Sequence, residues 1–200
     1  MAYPTVEGPY GLEPINLVGG IPFAGQIRQF PIASSMPTSI FYGDVVTLTT
    51  AGQINRATGT TSATNAIGVF LGCQYTNSSG QLVQAQYYPA STASSNTVAF
   101  VQDDPNQLYK VAVCASASTA ISGLTQAAVG QNVAIVNNPG STASGDSRIA
   151  VLNSTASTTT LPFRVIAGVP ETVNASGSYT EVIVKFNIGV HLYTTSVAAA

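Results

Sequence analysis

Hydrophobic residues in this chain come in short runs separated by Gly, Pro, Asn and Ser, a pattern that predicts strands and turns, not helices. Val45 to Thr49 is a β-branched run with turn residues on both sides, Gly43-Asp44 before it and Ala51-Gly52-Gln53 after it. A second strand is predicted over Ile54 to Ala57. A Thr/Ser/Gly/Asn loop then leads to the apolar run Ala66 to Leu71, bounded by Gly72. Phe41 to Gly72 thus reads as strand, turn, strand and returning strand, the start of a small β-barrel or sandwich around which the rest is organised.

Further strands are predicted over Val83 to Tyr88, Thr97 to Gln102 and Leu108 to Ala115, the last with residues 109, 111 and 113 on one face. Gln126 to Asn132 reads as a helical turn or an irregular entry into Val133 to Val136, and Asn137-Asn138-Pro139-Gly140 as a turn. Ile149 to Leu152, Leu161 to Val169 and Tyr179 to Asn187 complete the set. In the last, Thr180, Val182, Val184, Phe186 and Ile188 form the apolar face. Roughly nine to eleven strands at intervals of about 8 to 15 residues give an all-β fold. The sequence leaves open whether residues 37–190 form one β-domain or two β subdomains.

Residues 1–36 read differently. Prolines at 4, 9, 14, 22 and 31 and glycines at 8, 11, 19, 20 and 25 oppose helices and interior strands, yet apolar and aromatic residues recur throughout. This pattern predicts a long extended N-terminal arm that lies along a surface, with packing back on its own barrel as the alternative. Tyr3, Tyr10, Leu12, Ile15, Phe23, Arg28 and Phe30 are its candidate partner contacts. Residues 191–200 are assigned to a C-terminal tail.

Composition changes the picture at one point. The chain is 45% hydrophobic, enough for a core, but only 7% charged, against about 25% in ordinary soluble proteins. A surface so poor in charge points to one covered by partners in a dense assembly, or to a neutral Ser/Thr/Asn-rich surface. Six scattered Lys and Arg with a net charge of −2 do not make a nucleic-acid footprint. No apolar run approaches the roughly 20 residues of a membrane-spanning helix. The opening MAYPTVEGPYGLEP has neither the basic nor the apolar region of a secretory signal, so folding in the cytoplasm is expected.

Candidate chemistry is sparse. Cys73 and Cys114 fit no metal spacing and read as buried thiols. The lone His191 has no nearby acid or thiol, and Asp103-Asp104 beside Pro105-Asn106 reads as a turn. No acid pair, nucleophile elbow or phosphate-binding glycine loop stands out. The expectation is a protein without catalysis, cofactor or metal. Tyr75, Tyr87 and Tyr88 flank the turn at residues 76–82 and are the candidates for a glycan-binding platform, the rival function.

Gly43-Asp44-Val45-Val46, then Gly52 with its following strand, then Ala66-Ile67-Gly68-Val69, resembles the β-tulip-type head decoration proteins of tailed bacteriophages. The opening MAYPTVEGPYGLEPINLVGG, the segment Asp104 to Val111 and the segment Thr180 to Asn187 resemble virion structural proteins of marine cyanophages. The resemblance implies a capsid decoration, or cement, protein on the virion exterior. Its partners would be the major capsid protein and itself, as a homotrimer, with an arm lying on neighbouring coat subunits. Net charge and the lack of a long apolar run lead, separately, to the expectation of no nucleic-acid and no membrane partner. The alternative the resemblance leaves is a host-surface or glycan-binding module of a head fibre or tail.

Overall fold

The computed structural model describes residues 6–23, 25–58, 65–116, 118–158, 160–187, 191, 193 and 194. The fold is all-β, with 12 strands and two single 3-10 turns among the described residues. The strands are β1 (Glu13–Leu17), β2 (Arg28–Pro31), β3 (Val45–Leu48), β4 (Ile54–Arg56), β5 (Ala66–Thr76) and β6 (Leu82–Ala85), followed by β7 (Ser95–Gln102), β8 (Gln107–Cys114), β9 (Asn132–Val136), β10 (Ala150–Ala156), β11 (Phe163–Gly168) and β12 (Glu181–Phe186).

They form two sheets. The first runs β1-β8-β10-β9-β11-β12 and closes on itself through β8–β12, making a five-strand barrel from β8 to β12 with β1 laid along β8. The closure carries five paired positions, from Glu181 opposite Ala112 to Lys185 opposite Leu108. The second sheet runs β2-β7-β5-β3-β4, with β6 on β5. Its ends come together at a single parallel bridge, Ile32 to Ile54.

Each sheet encloses a core, and the two cores share a wall. Tyr109, Val111, Val113, Val133, Ile135, Val151, Phe163, Val165, Val182, Val184 and Phe186 fill the barrel. Phe186 packs tilted against Phe163 at 4.8 Å and meets Tyr109 edge-on at 5.5 Å. Ile32, Ile40, Val46, Ile67, Phe70, Cys73, Tyr75, Tyr88, Ala99 and Val101 fill the second core. Strands β3 and β5 serve both: Val45, Ala66 and Val69 face the barrel core, while Val46, Ile67 and Phe70 face the other. Successive strand residues point to opposite faces, so a strand between two cores must be apolar at nearly every position. That is why Ala66 to Leu71 shows no alternation. Each such side chain contributes about 1.5–3 kcal/mol by leaving water.

Two expected features are altered. The run ending at Gly72 continues to Thr76, because the register with β7 shifts between Phe70 and Gly72 and pairing then resumes. The N-terminal segment, expected to stand apart from the barrel, supplies strands to both sheets: β1 pairs with β8 and β2 with β7. Its prolines are compatible with this because both strands lie at sheet margins, where a missing N–H is tolerated.

At Gly68 the close approach of β5 and β7 leaves no room for a side chain. A Cβ there would lie 1.9 Å from the Gln102 carbonyl oxygen and 2.9 Å from the Asp103 Cα. Backbone cannot yield as a flexible side chain does, so Gly68→Ala is expected to cost about 3 kcal/mol or more. Urea denaturation compared with Gly8→Ala, where a Cβ meets nothing within 4 Å and φ is not positive, checks this; equal losses in the two variants would refute it.

Candidate functional site

A buried polar network built on Asp44, Asn138 and Ser147 lies where the two sheets join. Gly43 and Gly11 are both at positive φ, +85° and +87°, a region other residues adopt only with strain. Leu12 N–H donates to the Gly43 carbonyl at 3.0 Å and Gly11 N–H to the Ile149 carbonyl at 3.2 Å. A Cβ on Gly11 would press on the Ser147 Cβ at 2.7 Å. Three distant segments therefore touch backbone to backbone, and Asp44 is held among them, fully buried.

Asp44 accepts from Ser147 Oγ at 2.6 Å and from Phe41 N–H at 2.9 Å, and its Oδ2 lies 2.9 Å from Arg56 Nε. Arg56, across the β3–β4 pairing, also donates through Nη2 to Asn137 Oδ1 and the Asn138 carbonyl, both at 2.7 Å. Asn137 returns a bond to the Ala57 carbonyl, and Asn138 ties the Ser118 and Arg148 carbonyls. One ion pair thus links β3 and β4 of the second sheet to the loops after β9 and before β10. Burial pushes the Asp44 carboxyl above its usual range, while Arg56, Ser147 and Phe41 N–H pull it back.

Two further ion pairs fix the N-terminal segment. Lys110 Nζ lies 3.0 Å from Glu13 Oε2 and 4.0 Å from Glu181 Oε1, and Tyr10 donates its hydroxyl to Glu181. Burial and the Glu181 carboxylate hold the Tyr10 hydroxyl well above the usual phenol range. Arg28 Nε lies 3.0 Å from Asp103 Oδ2, with its guanidinium carbon 5.0 Å from the Tyr193 ring centre.

Among the candidate arm contacts, Leu12 is buried in the barrel core, Tyr10 and Arg28 make the internal contacts just described, and Phe30 is half-buried against the second core. Ile15 and Phe23 are half-exposed, and Tyr3 lies outside the described residues. The tyrosines proposed for a glycan platform are not gathered on the surface. Tyr75 and Tyr88 are buried edge-to-face at 5.5 Å, and Tyr87 stacks on Phe41 at 5.3 Å. Among the described residues, the exposed large apolar ones are Val18, Ile21, Ile27, Leu82, Ile166 and Tyr193. Cys73 and Cys114 are free and buried, burial raising their thiols to about 12 and about 11. A groove of about 540 Å³ lies between residues 7–10 and the loop 141–148, lined by Glu7, Tyr10, Asp146 and Arg148. Among the described residues no cluster of His, Cys, Asp and Glu could hold a metal ion.

Asp44 and Arg56 were readable only as turn and strand residues, since nothing local marks a charge as buried. The available signal was their scarcity: an Asp at the entry to one predicted strand and an Arg within the next, in a chain with 14 charged residues in total, six basic and eight acidic.

Removing one partner of a buried ion pair strands the other charge, which typically costs 3–5 kcal/mol. Arg56→Met is expected to lose about that much, a large share of the 5–15 kcal/mol that holds a domain folded. Asp44→Asn combined with Arg56→Met recovers part of the loss, because the amide oxygen still accepts from Ser147 without a buried charge. Denaturant midpoints of the single and double variants check this, and a double variant no better than Arg56→Met would refute it. No protein family, characterised protein or solved structure compared with this chain matches it.

Proposed function

We propose that this chain is a non-enzymatic virion protein that decorates the outside of a tailed-phage head, as a homotrimer bound to the major capsid protein, and stabilises contacts between coat subunits. The observation that carries the reading is the combination of a charge-poor surface with exposed apolar residues at strand margins and turns. Val18 and Ile21 project from the hairpin that follows β1, and Leu82 stands on β6. Such positions suit contacts with a neighbouring subunit, since a margin strand offers backbone groups as well as apolar surface. Several of the few charged groups, in contrast, are engaged within the chain: Arg28, Arg56 and Lys110 are in ion pairs, and Arg164 donates to the Gly130 carbonyl. The sequence resemblance to head decoration proteins supports the capsid assignment, and the exposed apolar residues support this manner of binding. In a trimer, weak single contacts multiply by avidity.

The burial of Tyr75 and Tyr88 removes the main support for the glycan-binding alternative. Leu12 and β1 are part of the barrel, so deletion of the N-terminal segment would damage the fold and would not report on binding. The test is therefore made with exposed positions. Mass spectrometry of purified particles should find the protein in proportion to the coat protein. Val18→Asp with Ile21→Asp should fold normally yet weaken binding to purified heads by about tenfold or more. Absence from particles would overturn the proposal, and wild-type occupancy by the double variant would overturn the assigned surface.

A further inference from the structure

The chain has one histidine, and it sits at the corner where the two sheets meet. The backbone of His191 bridges Ala66 of β5, and its ring is buried. Phe186 of β12 lies 6.2 Å from the ring and Tyr193 5.7 Å away. Nδ1 accepts the Tyr193 backbone N–H at 3.3 Å, which requires a lone pair there. The ring proton is therefore assigned to Nε2, which donates to the Asp103 carbonyl at 3.0 Å. In this neutral form both nitrogens are satisfied, and the ring joins the β7–β8 turn to the chain after β12.

A second proton is poorly placed, although the Ile67 carbonyl of β5, like that of Asp103, favours the charged ring. It would have to occupy Nδ1, opposite an N–H that already points at it, and it would place a cation in a buried site. We propose that His191 is an acid-released pin: neutral, it holds Asp103 and Tyr193 together beside β5, and protonation at Nδ1 breaks the Tyr193 bond and loosens that corner.

The surrounding charges decide where this happens. The β7–β8 turn presents Asp103 and Asp104, which favour protonation, but Asp103 is already paired with Arg28 of β2. From β12, Lys185 lines the same cavity of about 240 Å³ as His191, together with Pro105, Asn106, Phe186 and Thr194. The remaining titratable neighbour is the Tyr193 phenol, itself held above its usual range mainly by burial. Burial outweighs the acids and lowers the His191 pKa below its ordinary 6.5. For a base whose folded value is depressed, the unfolded chain binds more protons as pH falls. The contribution is therefore complete above about 6.5 and is lost as pH falls below it toward the folded value.

Because there is a single histidine, its imidazole C–H resonances titrate without overlap. The expected result is a midpoint below 6.5, with the Tyr193 amide resonance shifting along the same curve. Over that window the melting temperature of the wild type should drop by roughly 3 °C or more beyond the drop in His191→Gln, whose amide does not titrate. A midpoint at or above 6.5, a Tyr193 amide that ignores the titration, or an unchanged step in His191→Gln would each overturn the proposal. The resonance measurement uses the unmodified protein, so it decides even if the variant fails to fold. None of these readouts depends on the capsid assignment.

Discussion

A single buried ion pair, Asp44 with Arg56, holds the architecture at its joint. Both groups give up hydration to sit there, and further hydrogen bonds offset the loss: Ser147 and Phe41 on the carboxylate, Asn137 and Asn138 on the guanidinium. The attraction alone would be a poor source of stability. What the pair supplies is uniqueness, since hydrophobic faces can slide over one another whereas a buried charge has one satisfactory address. Two apolar cores sharing the wall of β3 and β5 could pack in several registers. The polar joint selects among them, and the glycine pair Gly11 and Gly43 lets the backbones come close enough for it to form.

The all-β class and most strands were legible because strand periodicity and turn chemistry are local. The inward faces of β8 and β12 could be read from Tyr109, Val111 and Val113 and from Val182, Val184 and Phe186, all buried. The N-terminal segment was not legible. Proline and glycine spacing described its local conformation well, but whether an extended stretch lies on its own sheets or on another protein depends on surfaces far away in sequence. Leu12 reaches the barrel core only because β8, nearly a hundred residues later, provides an edge beside it. The site failed for the same reason. Asp44 looked like turn chemistry, and indeed it caps the Phe41 N–H three residues back; its bond to Ser147 spans 103 positions. The tyrosines erred in the opposite direction, Tyr75 and Tyr88 being core residues whose hydroxyl-bearing rings had suggested a surface.

The chain carries few charges, and several of those it carries are bonded within the fold. Most of its cations and several of its acids are anchored in the scaffold, and its outward face is a neutral Ser/Thr/Asn-rich surface broken by single apolar residues. The proposed role as a shell-binding protein uses those properties directly: little electrostatic repulsion between close-packed copies, and contact residues at hairpin and strand margins.

The strand order has a consequence for the route to this structure. Strands β2 to β7 form one sheet unit, encoded between β1 and the five barrel strands. As the chain leaves the ribosome, that unit has every strand it needs once β7 has emerged. In contrast, β1, made first, must wait for β8, and the barrel cannot close until β12 is complete. The nested sheet is thus positioned to fold early and to carry β3 and β5 into place as a preformed wall, against which the later strands assemble in the order they are made.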